Sequence, residues 1–182
     1  MRLFIAIQLP NKIKEKLVEI QKFIAPLGKL KLVEKENLHL TLYFLGEVEK
    51  EKVNMLYCNL KNLSDISSFT LSLKGIGSFP SISYPRVIWV GVEEGKEEVY
   101  LLHSKINECL TSIGFKSEKS YHPHVTLARL KILREKKRWT EVVEKYASTH
   151  VGEFKVSEWV LMESKLTKKG PKYSVLHNFK LS

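Results

Sequence analysis

The chain has 182 residues, 43% hydrophobic and 27% charged, which suits one compact domain or two small lobes sharing a core. Its 30 Lys and Arg against 20 Asp and Glu leave a formal charge of +10, a field that favours polyanions, nucleic acid first. Cys58 and Cys109 are too few for a disulfide framework, no apolar run reaches the ~20 residues of a membrane helix, and Pro10-Asn11 ends the first apolar run too early for a signal peptide, so a reducing, cytoplasmic setting is expected.

In chain order, residues 3–9 are nearly all apolar and predict a strand buried on both faces. Asn11 is placed to cap a helix in which Ile13, Leu17, Ile20 and Ile24 recur at helical spacing until Pro26 and Gly28. A short strand at 30–33 and a turn at Glu36-Asn37 lead into a strand at 38–46. A helix follows from about 49 to 60, with Val53, Leu56 and Leu60 as its stripe. Phe69, Leu71 and Leu73 alternate with Thr70, Ser72 and Lys74, the pattern of a half-buried strand. Residues 77–85, GSFPSISYP, read as a loop.

After that loop comes an apolar strand at 86–92. Val99, Leu102, Ile106, Leu110 and Ile113 then mark a helix closed by Gly114. A strand at 121–130 precedes a basic segment, 131–138, and a helix carrying Trp139, Val142, Val143 and Tyr146. Phe154 and Val156 suggest a further strand, and 158–181 reads as a hairpin turning at Lys168-Lys169-Gly170-Pro171.

Two of these strands share a pattern: His39-Leu40-Thr41-Leu42 and His124-Val125-Thr126-Leu127. On a strand, alternate side chains face opposite ways. Each histidine then shares a face with its threonine, while Leu38, Leu40, Leu42 and Phe44, or Val125 and Leu127, cover the other. The surroundings repeat as well: Arg2 precedes His39 by nearly the interval at which Arg86 precedes His124, and Phe69 follows His39 as Phe154 follows His124. Such a long period means duplication rather than a solenoid. Two copies of strand-helix-strand-helix-strand, about 1–84 and 85–182, packed about a pseudo-twofold would place the two His-Thr strands as equivalents at the axis.

Two imidazoles facing one cleft are the least apparatus for acid–base catalysis near neutral pH, one ring holding a proton and the other free to take one. Hydroxyls two residues on can donate to an anion's oxygens. With a basic surround, this describes a phosphodiester site. A lone His-X-Thr-X carries little weight, because threonine and apolar residues belong in strands anyway. Two copies at matching positions carry much more.

The paired motifs, the MRLFIAIQLP opening, the HLTLYFLG strand and the HPHVTLAR strand resemble the two-histidine (2H) phosphoesterases, and within them the LigT-like RNA 2′,3′-cyclic phosphodiesterases, formerly called 2′-5′ RNA ligases. The resemblance spans essentially the whole chain. It implies an α+β fold, one catalytic domain over 1–182 whose two pseudo-twofold lobes of antiparallel sheet carry outer helices and enclose a V-shaped cleft, and metal-independent hydrolysis of a terminal 2′,3′-cyclic phosphate to a 2′-phosphate. His39 would give its proton to the leaving 3′-oxygen, His124 would activate water, and Thr41 and Thr126 would hold phosphate oxygens. The reverse reaction would join RNA ends through a 2′-5′ bond. No cofactor is implied. The expected partner is RNA ending in a 2′,3′-cyclic phosphate, with tRNA fragments and small cyclic nucleotides among the candidates. An internal pseudo-dimer needs no second chain, so a monomer is expected.

Supporting residues are less determined. Arg129 follows the second motif, yet alternation puts it opposite His124, so a bulge or strand end must re-aim it. Phe44 stands at the same offset from His39, and either stacks a base or packs in the core. Arg86, Tyr84 and Tyr121 are cleft candidates for phosphate or base contact, and the basic runs 131–138 and 165–172 for RNA backbone. His122 shares the parity of His124 and invites a metal reading, but no acidic ligand or HExxH helix lies near, so no metal is assigned. His103, at the edge of a helix stripe, reads as structural. The rival of another class is a non-catalytic RNA-binding module of ferredoxin-like lobes, against which the sequence lacks an aromatic RNP1 strand.

Overall fold

The computed structural model describes residues 1–63 and 65–182. Among the described residues nine strands and four α-helices follow in the order β1 (Arg2–Gln8), α1 (Asn11–Ile24), β2 (Gly28–Leu32), β3 (His39–Glu47), α2 (Val53–Leu60), β4 (Phe69–Pro80), β5 (Pro85–Val92), α3 (Lys96–Ser112), β6 (His124–Leu133), α4 (Lys136–Tyr146), β7 (His150–Val156), β8 (Glu158–Thr167) and β9 (Gly170–Lys180). The strands form one antiparallel sheet in the order β7-β4-β5-β6-β3-β1-β8-β9, with β2 added to β6. That order mirrors itself about the junction of β6 and β3.

The two expected lobes are thus one continuous sheet, joined where Leu40 of β3 pairs with Val125 of β6. The halves of the chain are not the halves of the sheet. β4 is encoded with the first half yet pairs with β5 and β7, while β8 and β9 extend β1. Phe69 and Phe154 lie on strands that pair with each other. A tight antiparallel return between β4 and β5 dictates this crossing. The sheet also curls. Asn37 donates its side-chain amide to the Pro171 carbonyl at 2.8 Å, which ties the start of β3 to the opening of β9, a strand at the sheet's far edge.

One face of the sheet carries the main core, where Leu40, Leu42, Val125 and Leu127 are fully buried with Leu17, Ile24, Leu102 and Ile106 from the helices. Each such side chain contributes roughly 1.5–3 kcal/mol of burial, enough to fix which way β3 and β6 face. The other face holds a small cluster of Phe4, Ala6, Val160 and Met162 against Tyr173. β1 is therefore buried on both sides, as its unbroken apolar run requires.

Three local expectations are corrected. Asn11 does not cap α1; the Pro10 carbonyl accepts from the Ile13 and Lys14 amides, and Asn11 donates its side chain to Glu15. The supposed loop at 77–85 is largely strand, since β4 runs to Pro80 with Ser78 opposite Ile88. Gly77 earns its place there, because the Trp89 indole lies where its Cβ would be. Residues 131–133 of the basic segment belong to β6.

Candidate active site

The pairing of Leu40 with Val125 sets the site. In that antiparallel register His39 falls opposite Thr126 and Thr41 opposite His124, and all four point away from the core. The two histidines stand at diagonal positions, about 7–8 Å apart between backbones in a regular ladder.

Both imidazoles are held alike. His39 Nδ1 lies 2.6 Å from the Asn37 carbonyl, and His124 Nδ1 lies 2.6 Å from the His122 carbonyl. A carbonyl only accepts, so each Nδ1 carries the hydrogen and donates it, leaving on Nε2 of the neutral ring a lone pair that can accept. His39 Nε2 is 2.8 Å from the Thr41 hydroxyl, which donates to it while the ring is neutral.

Each ring also sits among aromatics. Phe4 and Tyr173 approach His39, with ring centroids at 5.0 and 5.4 Å; Phe79 and Trp89 approach His124, at 4.9 and 5.9 Å. Burial there pushes the His39 imidazole down to about 4, assisted by the charges of Lys14 and His124, against the opposing hydrogen bond to Asn37. His124 is lowered as well, first by burial, with the charges of His122 and Arg129 acting the same way against its bond to the His122 carbonyl. At neutral pH His39 is therefore neutral.

Two bulges complete the site. Opposite β1, Ala6 pairs with Thr41 and Ile5 with Tyr43, so Leu42 is an extra residue in β3. Opposite β5, Trp89 pairs with Thr126 and Ile88 with Ala128, so Leu127 is extra in β6. A bulge inverts the alternation beyond it. Leu42 and Tyr43 are consecutively buried, as are Leu127 and Ala128, and the next residues, Phe44 and Arg129, emerge on the histidine face. The re-aiming that Arg129 needs is present, and its positive charge bears on both His124 and Tyr173. The same device takes Phe44 off the core face to which strict alternation assigns it, leaving it 62% exposed.

An open cleft of about 780 Å³ lies against this face, bounded by Thr41, Phe44, His122, His124 and the segment 116–121. That segment leans on β3: Tyr43 donates its hydroxyl to the Lys116 carbonyl, and the Phe44 amide donates to Glu118 at 3.2 Å. Tyr121 lines the cleft, but its hydroxyl is already engaged, donating to the Thr41 carbonyl at 2.7 Å. Its ring stacks on His103 at 3.8 Å, and burial raises its phenol well above the usual range.

Arg86 and Tyr84 do not join the site. Arg86 is the extra residue of β5 where Phe79 pairs with Val87 and Pro80 with Pro85, and it is exposed, whereas Trp89 faces His124. Its guanidinium is engaged by the Lys131 carbonyl at 3.0 Å and the Tyr84 hydroxyl at 2.6 Å, at the exposed strand end. Residues that the sequence reading passed over take their place around the rings, Phe4, Trp89, Phe79 and Tyr173, and His122, weighed there only for a metal, stands at the cleft wall. Phe4 and Trp89 were hidden inside apolar strands and Phe79 in the supposed loop. Among the described residues no group of three or more His, Cys, Asp or Glu is gathered to hold a metal ion.

The register thus gathers two imidazoles, two threonines and, past the bulge, a guanidinium on one face of the sheet; His124 and Thr41 line the cleft, while His39 is bonded to Thr41 and does not itself line it. The description "LigT like Phosphoesterase" matches the chain twice in succession, over residues 7–89 and 90–173. A Methanocaldococcus jannaschii protein named RNA 2′,3′-cyclic phosphodiesterase is 41% identical over 97% of this chain and 98% of its own; a like-named Thermotoga maritima protein is 34% identical over 97% and 94%. Among solved structures, Escherichia coli LigT complexed with 3′-AMP superposes with a TM-score of 0.80 at 28% identity, covering all of this chain and 98% of that one. This chain belongs to the LigT-like phosphoesterase family.

Proposed function

We propose that this protein hydrolyses the 2′,3′-cyclic phosphate at RNA ends to a 2′-phosphate, with His39 and His124 as its acid–base pair. The observation that carries this is the Leu40–Val125 register, which sets both imidazoles on one face with Nδ1 tied back and Nε2 outward. Water attacks phosphorus as His124 Nε2 takes its proton. The bond from phosphorus to the 3′-oxygen breaks, and that oxygen takes a proton from His39 Nε2. A proton must therefore reach His39 first. The anionic phosphate raises the ring from its low value on binding, by opposite-charge attraction. Thr41 and Thr126 then donate to the non-bridging oxygens, and the Thr41 hydroxyl turns from the protonated ring to the phosphate. Arg129 offsets the charge, and Phe44 offers a face for the adjoining base.

The reading takes the chain as one catalytic domain built by duplication, acting as a monomer in the cytoplasm, with no metal. The mirrored strand order and the doubled family match support the duplication. Reversal of the same steps would form a 2′-5′ bond. A second reading exchanges the two histidines; it is favoured by the neutral, hydroxyl-bonded His39 ring.

The test is incubation with a short RNA ending in a 2′,3′-cyclic phosphate, with and without EDTA, across a range of salt. Conversion to the 2′-phosphate, unchanged by chelator, supports the reading, and binding without turnover or a product bearing a 3′-phosphate contradicts it. Affinity falling steeply with salt is expected if residues 131–138 and 165–172 follow the RNA backbone.

A further inference from the structure

The two bulges that aim Phe44 and Arg129 are each held by a polar side chain from the helical layer. Gln21 of α1 is only 4% exposed and donates both amide hydrogens, to the carbonyls of Val33 and Leu127, each at 2.9 Å. His103 of α3, 6% exposed, donates from Nδ1 to the Leu42 carbonyl at 2.6 Å. Leu127 and Leu42 are the extra residues of the two bulges.

The helices place these donors identically. Leu17, Ile20, Gln21 and Ile24 are the buried stripe of α1, and Val99, Leu102, His103 and Ile106 that of α3. In both, a hydrogen-bond donor stands in the buried stripe directly after one apolar member and three residues before the next, Gln21 between Ile20 and Ile24 and His103 between Leu102 and Ile106. Each reaches across the molecule: α1 follows β1 and holds β6, whereas α3 follows β5 and holds β3.

A bulge in a sheet is free to move along its strand unless something marks its position, because each residue can take the unpaired role in turn. Sliding it past Phe44 or Arg129 would return that side chain to the core face. A buried donor that meets one particular carbonyl removes this freedom, since a shifted bulge would leave the donor unpaired. We propose that Gln21 and His103 are positioning residues that lock the two bulges and thereby hold Arg129 and Phe44 toward the substrate. The proposal rests on the reading of Arg129 and Phe44 as substrate contacts.

A double-mutant cycle on kcat/KM for an RNA ending in a 2′,3′-cyclic phosphate tests it. Gln21→Leu is expected to lower kcat/KM about tenfold in the native background and less than twofold once Arg129 is alanine. His103→Leu should behave likewise against Phe44→Ala, and His103→Asn, whose amide nitrogen falls near the place of Nδ1, should restore most of the loss. A merely structural role would give equal losses in both backgrounds, and that result overturns the proposal, as does Gln21→Leu at native activity. If Gln21→Leu does not fold, the His103 pair decides alone. If Arg129→Ala is itself silent, the substrate contact fails and not the lock, which is then read by NMR. Contacts pairing Ile88 with Ala128 and Trp89 with Thr126 that persist in Gln21→Leu overturn the lock; their loss upholds it.

Discussion

The hydroxyl of Thr41 lies 2.8 Å from His39 Nε2, so the threonine two residues along the strand engages the nitrogen that the proposed reaction needs. Its counterpart His124 shares the tie from Nδ1 to a backbone carbonyl two residues back. The pair is symmetric in what anchors it and differs in depth, for burial takes His39 down to about 4.

Replacing His39 or His124 by alanine should each lower turnover about 10²–10⁴-fold, the usual worth of positioned proton transfer. A substrate in which the leaving 3′-oxygen is replaced by sulfur separates the roles, because a thiolate leaves without a proton. Activity of His39→Ala should recover on that substrate, while His124→Ala should stay low. Recovery of His124→Ala instead would favour the exchanged assignment.

The depressed His39 also governs stability. Its unfolded value is about 6.5, so below that pH the unfolded chain binds a proton that the folded chain refuses until about 4. Stability supplied by the neutral ring is present above pH 6.5 and is lost as pH falls toward 4, by up to ~3 kcal/mol. His39→Asn should therefore lose less stability than the native chain between pH 6.5 and 4, as read from chemical unfolding at each pH. Parallel curves would show that His39 is not depressed in the folded state.

Thr41→Val and Thr126→Val should each cost about 1.5–3 kcal/mol in kcat/KM, or roughly 10–150-fold, if each hydroxyl donates to a charged phosphate oxygen. A loss confined to KM would mean that substrate and transition state are held equally, and a loss in kcat that the contact tightens during reaction.

Much of this was legible in the residues, and for a physical reason. His39, Thr41, His124 and Thr126 lie before the bulges, so strict alternation describes them correctly. The two residues after the bulges divide. Arg129 visibly needed re-aiming, because a guanidinium is out of place on a core face, whereas Phe44 is at home there and gave no warning. A bulge is fixed by the register of a partner strand and by donors such as Gln21 and His103, and these come together only in three dimensions. Arg86 misled by its likeness to Arg2: both open a strand, but Arg2 shares the parity of Phe4, which packs by His39, while Arg86 sits in a bulge of β5 and turns to Tyr84 and the Lys131 carbonyl.

The most direct measurement is a crystal structure with a nucleoside vanadate bridging the 2′- and 3′-oxygens, a mimic of the five-coordinate phosphorus. The account predicts His39 Nε2 and His124 Nε2 each about 3 Å from an apical oxygen, on opposite sides of the metal centre of the mimic. A mimic bound with one imidazole out of reach of either apical oxygen would contradict it.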